Sequence, residues 1–158
     1  IGVEHKGGIV AGVIYDPNLG ELFTAEIGKG ALMNGSPIRV SSIDRMSRSL
    51  LVTGFPYNIH ENPDSTIERF VGALMKAQAV RRMGSAAIDM AYVACGRYEG
   101  FWEVGLHPWD VAAGALIVAE AGGKVTDFSG GPCSIYGNDI AASNSIVHGE
   151  LLDCIRVG

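Results

Sequence analysis

The feature that most constrains this chain is Trp109-Asp110-Val111-Ala112-Ala113-Gly114, running on to Ala121-Gly122-Gly123. It is a small-residue apolar stretch opened by one carboxylate and closed by a glycine pair. Asp is a favoured N-cap because its oxygen accepts from the free N–H groups of the first turn, so the pattern predicts a helix capped by Asp110. Gly122 or Gly123 then closes it in the left-handed conformation. Val111, Ala115, Val118 and Ala119 fall on one face at i, i+4, i+7 and i+8. Ala112, Ala113 and Gly114 leave little bulk around the first turn, so a ligand can approach. A carboxylate there binds a cation, while the helix end favours an anion such as phosphate. A plain N-capped core helix accounts for the same residues.

Around this helix the chain changes texture once. Residues 1–53 hold short β-like runs, clearest at Gly8-Ile9-Val10-Ala11-Gly12-Val13-Ile14-Tyr15 and Glu21-Leu22-Phe23-Thr24-Ala25. Asn18, Gly20, Gly28 and Gly30 punctuate them, as in an antiparallel meander. Residues 54–64, with Pro56, Asn58, Asn62 and Pro63, read as a connection. Beyond it the pattern alternates. A helix is expected over 65–78 with Ile67, Phe70, Val71 and Leu74 buried, and a second over 84–96. A strand is expected at 100–103, then the Asp110 helix, strands at 124–126 and 140–143, and part of a closing helix at 151–157. Such alternation predicts α/β layering.

Composition narrows the partners. With a net charge of −5 and no Lys/Arg stripe, the densest basic spots being Arg81-Arg82 and Arg45 with Arg48, a nucleic-acid partner is not expected. No apolar run approaches membrane-spanning length, so no membrane partner is expected either. Cys95, Cys133 and Cys154 are odd in number and widely spaced, which predicts reduced thiols in a cytoplasmic setting, packed as small hydrophobes.

The Trp109–Gly114 word resembles a signature of the inositol monophosphatase family of Mg²⁺-dependent, lithium-sensitive sugar phosphatases. Further words sit in family order: Arg82-Met83-Gly84-Ser85-Ala86-Ala87-Ile88-Asp89-Met90-Ala91, then Gly100-Phe101-Trp102-Glu103 with Gly105-Leu106-His107-Pro108. Gly28-Lys29-Gly30-Ala31, Asn34-Gly35 and Leu51-Val52-Thr53-Gly54-Phe55-Pro56 belong to the same order. The resemblance covers almost the whole chain. It implies the layered αβαβα sandwich of that family, here without its N-terminal helices and strands. Residues 1–53 would be the remainder of an N-terminal antiparallel-sheet domain and 65–158 the C-terminal α/β domain.

Family members carry most metal ligands in a front portion with a Glu-Glu pair and an Asp-Pro-x-Asp-Gly-Thr/Ser word. This chain opens Ile1-Gly2-Val3-Glu4 and holds no Glu-Glu pair, so it resembles the back two-thirds. Asp16-Pro17-Asn18-Leu19-Gly20 has Leu19 in place of the second Asp and reads as a hairpin turn.

By the same resemblance Asp110 is a Mg²⁺ ligand, a role that suits a hard cation taking carboxylate, water and phosphate oxygens. Capping and ligation are compatible because a carboxylate has two oxygens. Glu103 is implied to accept from substrate hydroxyls, against the plainer reading of a solvated strand-end charge. Gly84, Ser85 and Ala86 are implied to present backbone N–H groups to substrate, against an ordinary Ser-capped helix start. No residue in this part of the chain is assigned as catalytic base or nucleophile, because Ser85 has no His-Asp context. His107 is set aside because Pro108 disfavours a turn shared with Asp110. Trp102, Trp109, Phe101 and Tyr98 are expected as core or interface aromatics, and Tyr57 falls loosely near a family contact position. His5, His60 and His148 form no ligand word.

The implied activity is Mg²⁺-dependent hydrolysis of a small polyol or sugar phosphate monoester by in-line attack of water, with inositol 1-phosphate first among substrates, Li⁺ inhibitory, and a homodimer as the assembly. Fructose-1,6-bisphosphatase, histidinol-phosphate phosphatase and nucleotide 3′-phosphatase share the signature. A truncated, non-catalytic fragment serving as a dimerising or binding module is the alternative of a different class.

Overall fold

The first sheet is built as its punctuation demands. A computed structural model describes residues 1–61 and 63–157; Asn62, within the expected connection, and Gly158, at the end of the expected second unit, lie outside the described residues. Strands β1 (Gly2–His5), β2 (Gly8–Asp16), β3 (Glu21–Glu26), β4 (Ala31–Met33) and β5 (Ser36–Pro37) pair in that order as an antiparallel meander. Asp16 turns β2 into β3 by accepting from the Asn18 N–H at 2.9 Å, so the Asp16–Gly20 word is a hairpin turn. Asn34 and Gly35, at φ +49° and +78°, supply the two left-handed residues of the β4–β5 hairpin.

The second sheet has the order β7-β6-β8-β10-β9, from β6 (Leu50–Thr53), β7 (Ala79–Arg81), β8 (Gly100–Val104), β9 (Lys124–Thr126) and β10 (Asp139–Ser143). β6 runs parallel to β7 and β8, while β10 runs antiparallel to β8 and β9. β6 precedes the 54–64 connection yet belongs to this sheet, so the crossing between sheets comes earlier, near the 3₁₀ turn Met46–Arg48. Both faces are buried, and the strands alternate accordingly. Val52, Phe101, Ile140 and Ala142 enter one core with Phe23, Met90 and Ile117, whereas Leu51, Trp102 and Ala141 enter another with Val147, Leu151 and Ile155.

Helices α2 (Ala86–Ala94) and α3 (Pro108–Glu120) fill the space between the sheets, and α1 (Asp64–Leu74) and α4 (His148–Ile155) cover the outer face of the second. The result is an α/β stack of sheet, helix pair, sheet, helix pair. Gly12 lets β2 approach α3: a Cβ there would lie 3.0 Å from the Ala113 carbonyl oxygen. The carboxylate of Glu120 locks the far end, accepting from the Gly28 and Gly30 N–H groups at 2.8 Å each.

Several expectations are corrected. The helix expected over 65–78 ends at Leu74, and Ala79–Arg81 is a strand. Ile67, Val71 and Leu74 are about half exposed, while Ala73 is fully buried and Phe70 packs inward against Phe55 at 5.6 Å. The reason is Gly72, where a Cβ would collide with the Cys154 carbonyl, so the small side of α1 makes the close approach to α4. The cysteines are free, with Cys154 buried and the other two half-buried. No helix among the described residues is long and apolar enough to cross a membrane.

Candidate active site

The second sheet's parallel strands β6 and β8 end where α2 and α3 begin, and the cavity lies there. Ligands in α/β folds gather at the carboxyl ends of parallel strands because loops and helix N-termini converge on that edge. The cavity holds about 530 Å³ and is walled by 54–58, 84–87, 103–107 and 109–110, with Arg82 and Asp89. That volume suits a ligand the size of a sugar phosphate.

Asp110 lies at this edge, but not as the N-cap. The cap is His107, extended at φ −102° and ψ 163° as a residue before proline must be, and Pro108 is the first helical residue. Asp110 stands three places on and accepts from the His107 N–H through Oδ2 at 2.9 Å. Proline therefore starts the shared turn that it was expected to prevent. The His107 ring lines the cavity and stacks on Trp109 at 4.5 Å between centroids. Trp109 is 76% exposed, a rim residue and not core, whereas Trp102, Phe101 and Tyr98 are buried. Tyr57 also lines the cavity and is fully exposed.

Glu103 shares the face of β8 that buries Phe101, which aims it at α2 and α3. Its carboxyl sits directly over Gly54, where a Cβ would lie 2.5 Å from Cδ. Burial and the negative charge of Asp110 push its pKa up to about 7, with Arg82 pulling the other way.

The α2 start is also in the wall. Gly84, at φ +92°, turns the chain inward, and Ser85 caps the helix through a long 3.5 Å bond from the Ile88 N–H. Gly84, Ser85 and Ala86 thus stand beside Glu103 and Asp110 in one cavity.

Two charged lining residues lie outside the expected site set, although both stand in the family words. Arg82 brings the cavity a cation and stacks over Phe55 at 5.6 Å. Asp89 is 1% exposed, and neither of its carboxyl oxygens has a hydrogen-bond partner. Burial first, then the charge of Glu103, raises its pKa to about 7. The signal was present in the sequence, since Asp89 follows Ser85 by four residues and is the one charged residue in an otherwise apolar helix.

The family model described as the inositol monophosphatase family matches residues 1–156. The chain belongs to the inositol monophosphatase family. An inositol-1-monophosphatase of Mesorhizobium japonicum is 40% identical over 156 residues, covering 99% of this chain and 59% of its own length. A protein of Escherichia coli named Nus factor SuhB is 45% identical over 157 residues, covering 99% and 58%. Among solved structures, the inositol monophosphatase of an Anabaena species superimposes with a TM-score of 0.94 at 46% identity, covering 98% of this chain and 61% of that one. The chain therefore spans about 60% of the length of these inositol monophosphatase relatives.

Proposed function

We propose that the protein hydrolyses a small polyol or sugar phosphate monoester, inositol 1-phosphate first, in a Mg²⁺-dependent and lithium-sensitive reaction. The observation that carries this reading is the convergence of Asp110, Glu103 and the α2 start on one cavity. Three carboxyl groups line it against one guanidinium, so a phosphate monoester needs a cation to enter. Asp110 fits that cation: Oδ2 is held by the His107 N–H, and Oδ1 takes no hydrogen bond among the described residues. No group of three or more His, Cys, Asp or Glu side chains that could hold a metal assembles among the described residues, so a working Mg²⁺ site needs oxygen ligands besides Asp110. Mg²⁺, when bound, supplies charge neutralisation and a more acidic water.

This chain's own residues bind and orient. Glu103 accepts from hydroxyls of the polyol, fixing the ring. Exposed N–H groups at the α2 start donate to oxygens of the ester, aided by the positive end of the helix. Arg82 balances the anionic wall from the side. His107 holds Asp110 in place through its backbone N–H.

The reading extends to a cytoplasmic homodimer. Free cysteines agree with a reducing compartment, and the exposed Ile67, Val71, Leu74 and Met75 form an apolar stripe of the kind that subunits cover. The name of the Escherichia coli relative, a Nus factor, favours a second reading in which the family scaffold acts as a binding module in a transcription assembly. Phosphate release from inositol 1-phosphate by the intact protein, with and without Mg²⁺, separates the two. Mg²⁺-dependent release is expected; none at saturating Mg²⁺ would leave the binding reading.

A further inference from the structure

Asp89 is the least satisfied polar group in the cavity. Both oxygens of its carboxyl are buried and unpartnered, yet the residue lines the cavity wall. A buried carboxyl without donors is costly, so such a group is kept where something that enters the cavity satisfies it. It is not the helix cap: Ser85 already caps α2. Nor does it serve an ion pair: none of the protein's salt bridges among the described residues includes it. Its one charged influence is Glu103, close enough to raise it. Gly54 explains how two acids share this cavity, because the absent Cβ leaves the Glu103 carboxyl its seat.

Building on the proposed phosphatase activity, we infer that Asp89 is a second substrate-facing carboxyl, which with Glu103 accepts hydroxyl donors of the polyol and so sets selection for hydroxyl-rich phosphate esters. Donors from a ligand fit the site better than a metal ion, since Asp89 joins no group of three metal-ligating side chains among the described residues. Two carboxyls close enough to influence one another match a ring bearing neighbouring hydroxyls, while the ester phosphate stays toward Asp110 and the α2 start. An ester whose alcohol has no hydroxyls leaves Asp89 unpaired, and that loss is the basis of discrimination.

The test is the ratio of kcat/KM for inositol 1-phosphate over 4-nitrophenyl phosphate, in the intact protein and in Asp89→Asn. The ratio is expected to fall about tenfold or more, through KM for the inositol ester, as for loss of a hydrogen bond to a charged group. An unchanged ratio overturns the inference, whether activity on both esters falls in parallel with a lowered Tm or only the Mg²⁺ requirement moves. In wild-type protein, independent of any variant's folding, the Asp89 carboxyl ¹³C resonance is expected to shift on saturation with myo-inositol; a static resonance overturns it as well. A wild type that hydrolyses neither ester sinks the phosphatase reading alone, and the myo-inositol titration still decides the role of Asp89.

Discussion

Gly114 of α3 faces Met90 of α2 so closely that a Cβ on the glycine would lie 2.7 Å from the Met90 Cβ. The two helices whose N-termini form the cavity wall thus touch one turn behind it, and their spacing is set by a missing methyl group. Gly114→Ala is expected to cost about 1–3 kcal/mol through overpacking. It should also raise the Mg²⁺ concentration needed for half-maximal turnover, because the helices carrying Ser85 and Asp110 move apart. Denaturant unfolding and a Mg²⁺ titration check both; a variant as stable as wild type would refute the contact.

At the other end of α3, Glu120 holds Gly28 and Gly30, whose φ values of +74° and +81° present their N–H groups to one carboxylate. Glu120→Ala leaves those donors without their acceptor and should lower stability by about 1–2 kcal/mol. Glu120→Gln should recover part of the loss. Wild-type stability of Glu120→Ala in denaturant unfolding would mean that the clasp contributes nothing.

Asp110→Asn is expected to abolish Mg²⁺-dependent turnover while the fold survives, since an amide oxygen can still accept from the His107 N–H. Circular dichroism and phosphate release decide it. Wild-type turnover at saturating Mg²⁺ would remove Asp110 from the ligand set.

Gly54→Ala is expected to push the Glu103 carboxyl from its seat and blunt selection among polyol phosphates, as Glu103→Ala would. Shortening the acid relieves the collision, so Gly54→Ala with Glu103→Asp should discriminate better than Gly54→Ala alone. Kinetics on a panel of polyol phosphates provide the comparison, and failure of the double variant to improve would count against steric seating.

His148 is buried, with Nδ1 2.8 Å from the Ser143 hydroxyl and Nε2 2.9 Å from that of Thr126. Thr126 donates to the Asp127 carbonyl, so the ring must donate through Nε2 and accept at Nδ1 as a neutral imidazole. Burial, reinforced by Lys124, lowers its pKa to about 4 from 6.5. Between those values the unfolded chain takes up a proton that the native state refuses, so acid favours unfolding. The stability advantage of wild type over His148→Asn should be full above about pH 6.5 and shrink as pH falls toward 4. Denaturant midpoints across that range test it; a constant difference would contradict the buried neutral ring.

How far the sequence reached differs by element. The meander, the Asp16 turn and the α3 span were legible because glycine and asparagine at left-handed positions and an uninterrupted apolar run leave few alternatives. The buried side of α1 was not, since hydrophobic spacing pointed to Ile67, Val71 and Leu74 while Gly72 and Ala73 made the contact. Size, not hydrophobicity, chose that face. β7 was hidden for a similar reason: three residues long, it gains its strand state from pairing with β6. At the site, the family words name Asp110, Glu103 and the Gly84–Ala86 start, and the structure brings them to one cavity. Asp89 is not legible in this way, because helical spacing shows its element and not the direction of its side chain.

The first turns of α3 press against three neighbours at once. A Cβ on Gly2 would meet Ala112, one on Gly12 would meet Ala113, and Gly114 itself meets Met90. Each of these positions is locked to a counterpart on another element, so enlarging one requires trimming its opposite. The rim is looser: Tyr57 stands in solvent, and Trp109, stacked on the His107 ring, is still 76% exposed. A designer wishing to admit a bulkier ester should therefore diversify the mouth and leave the small-residue word alone, because only the mouth can change one residue at a time.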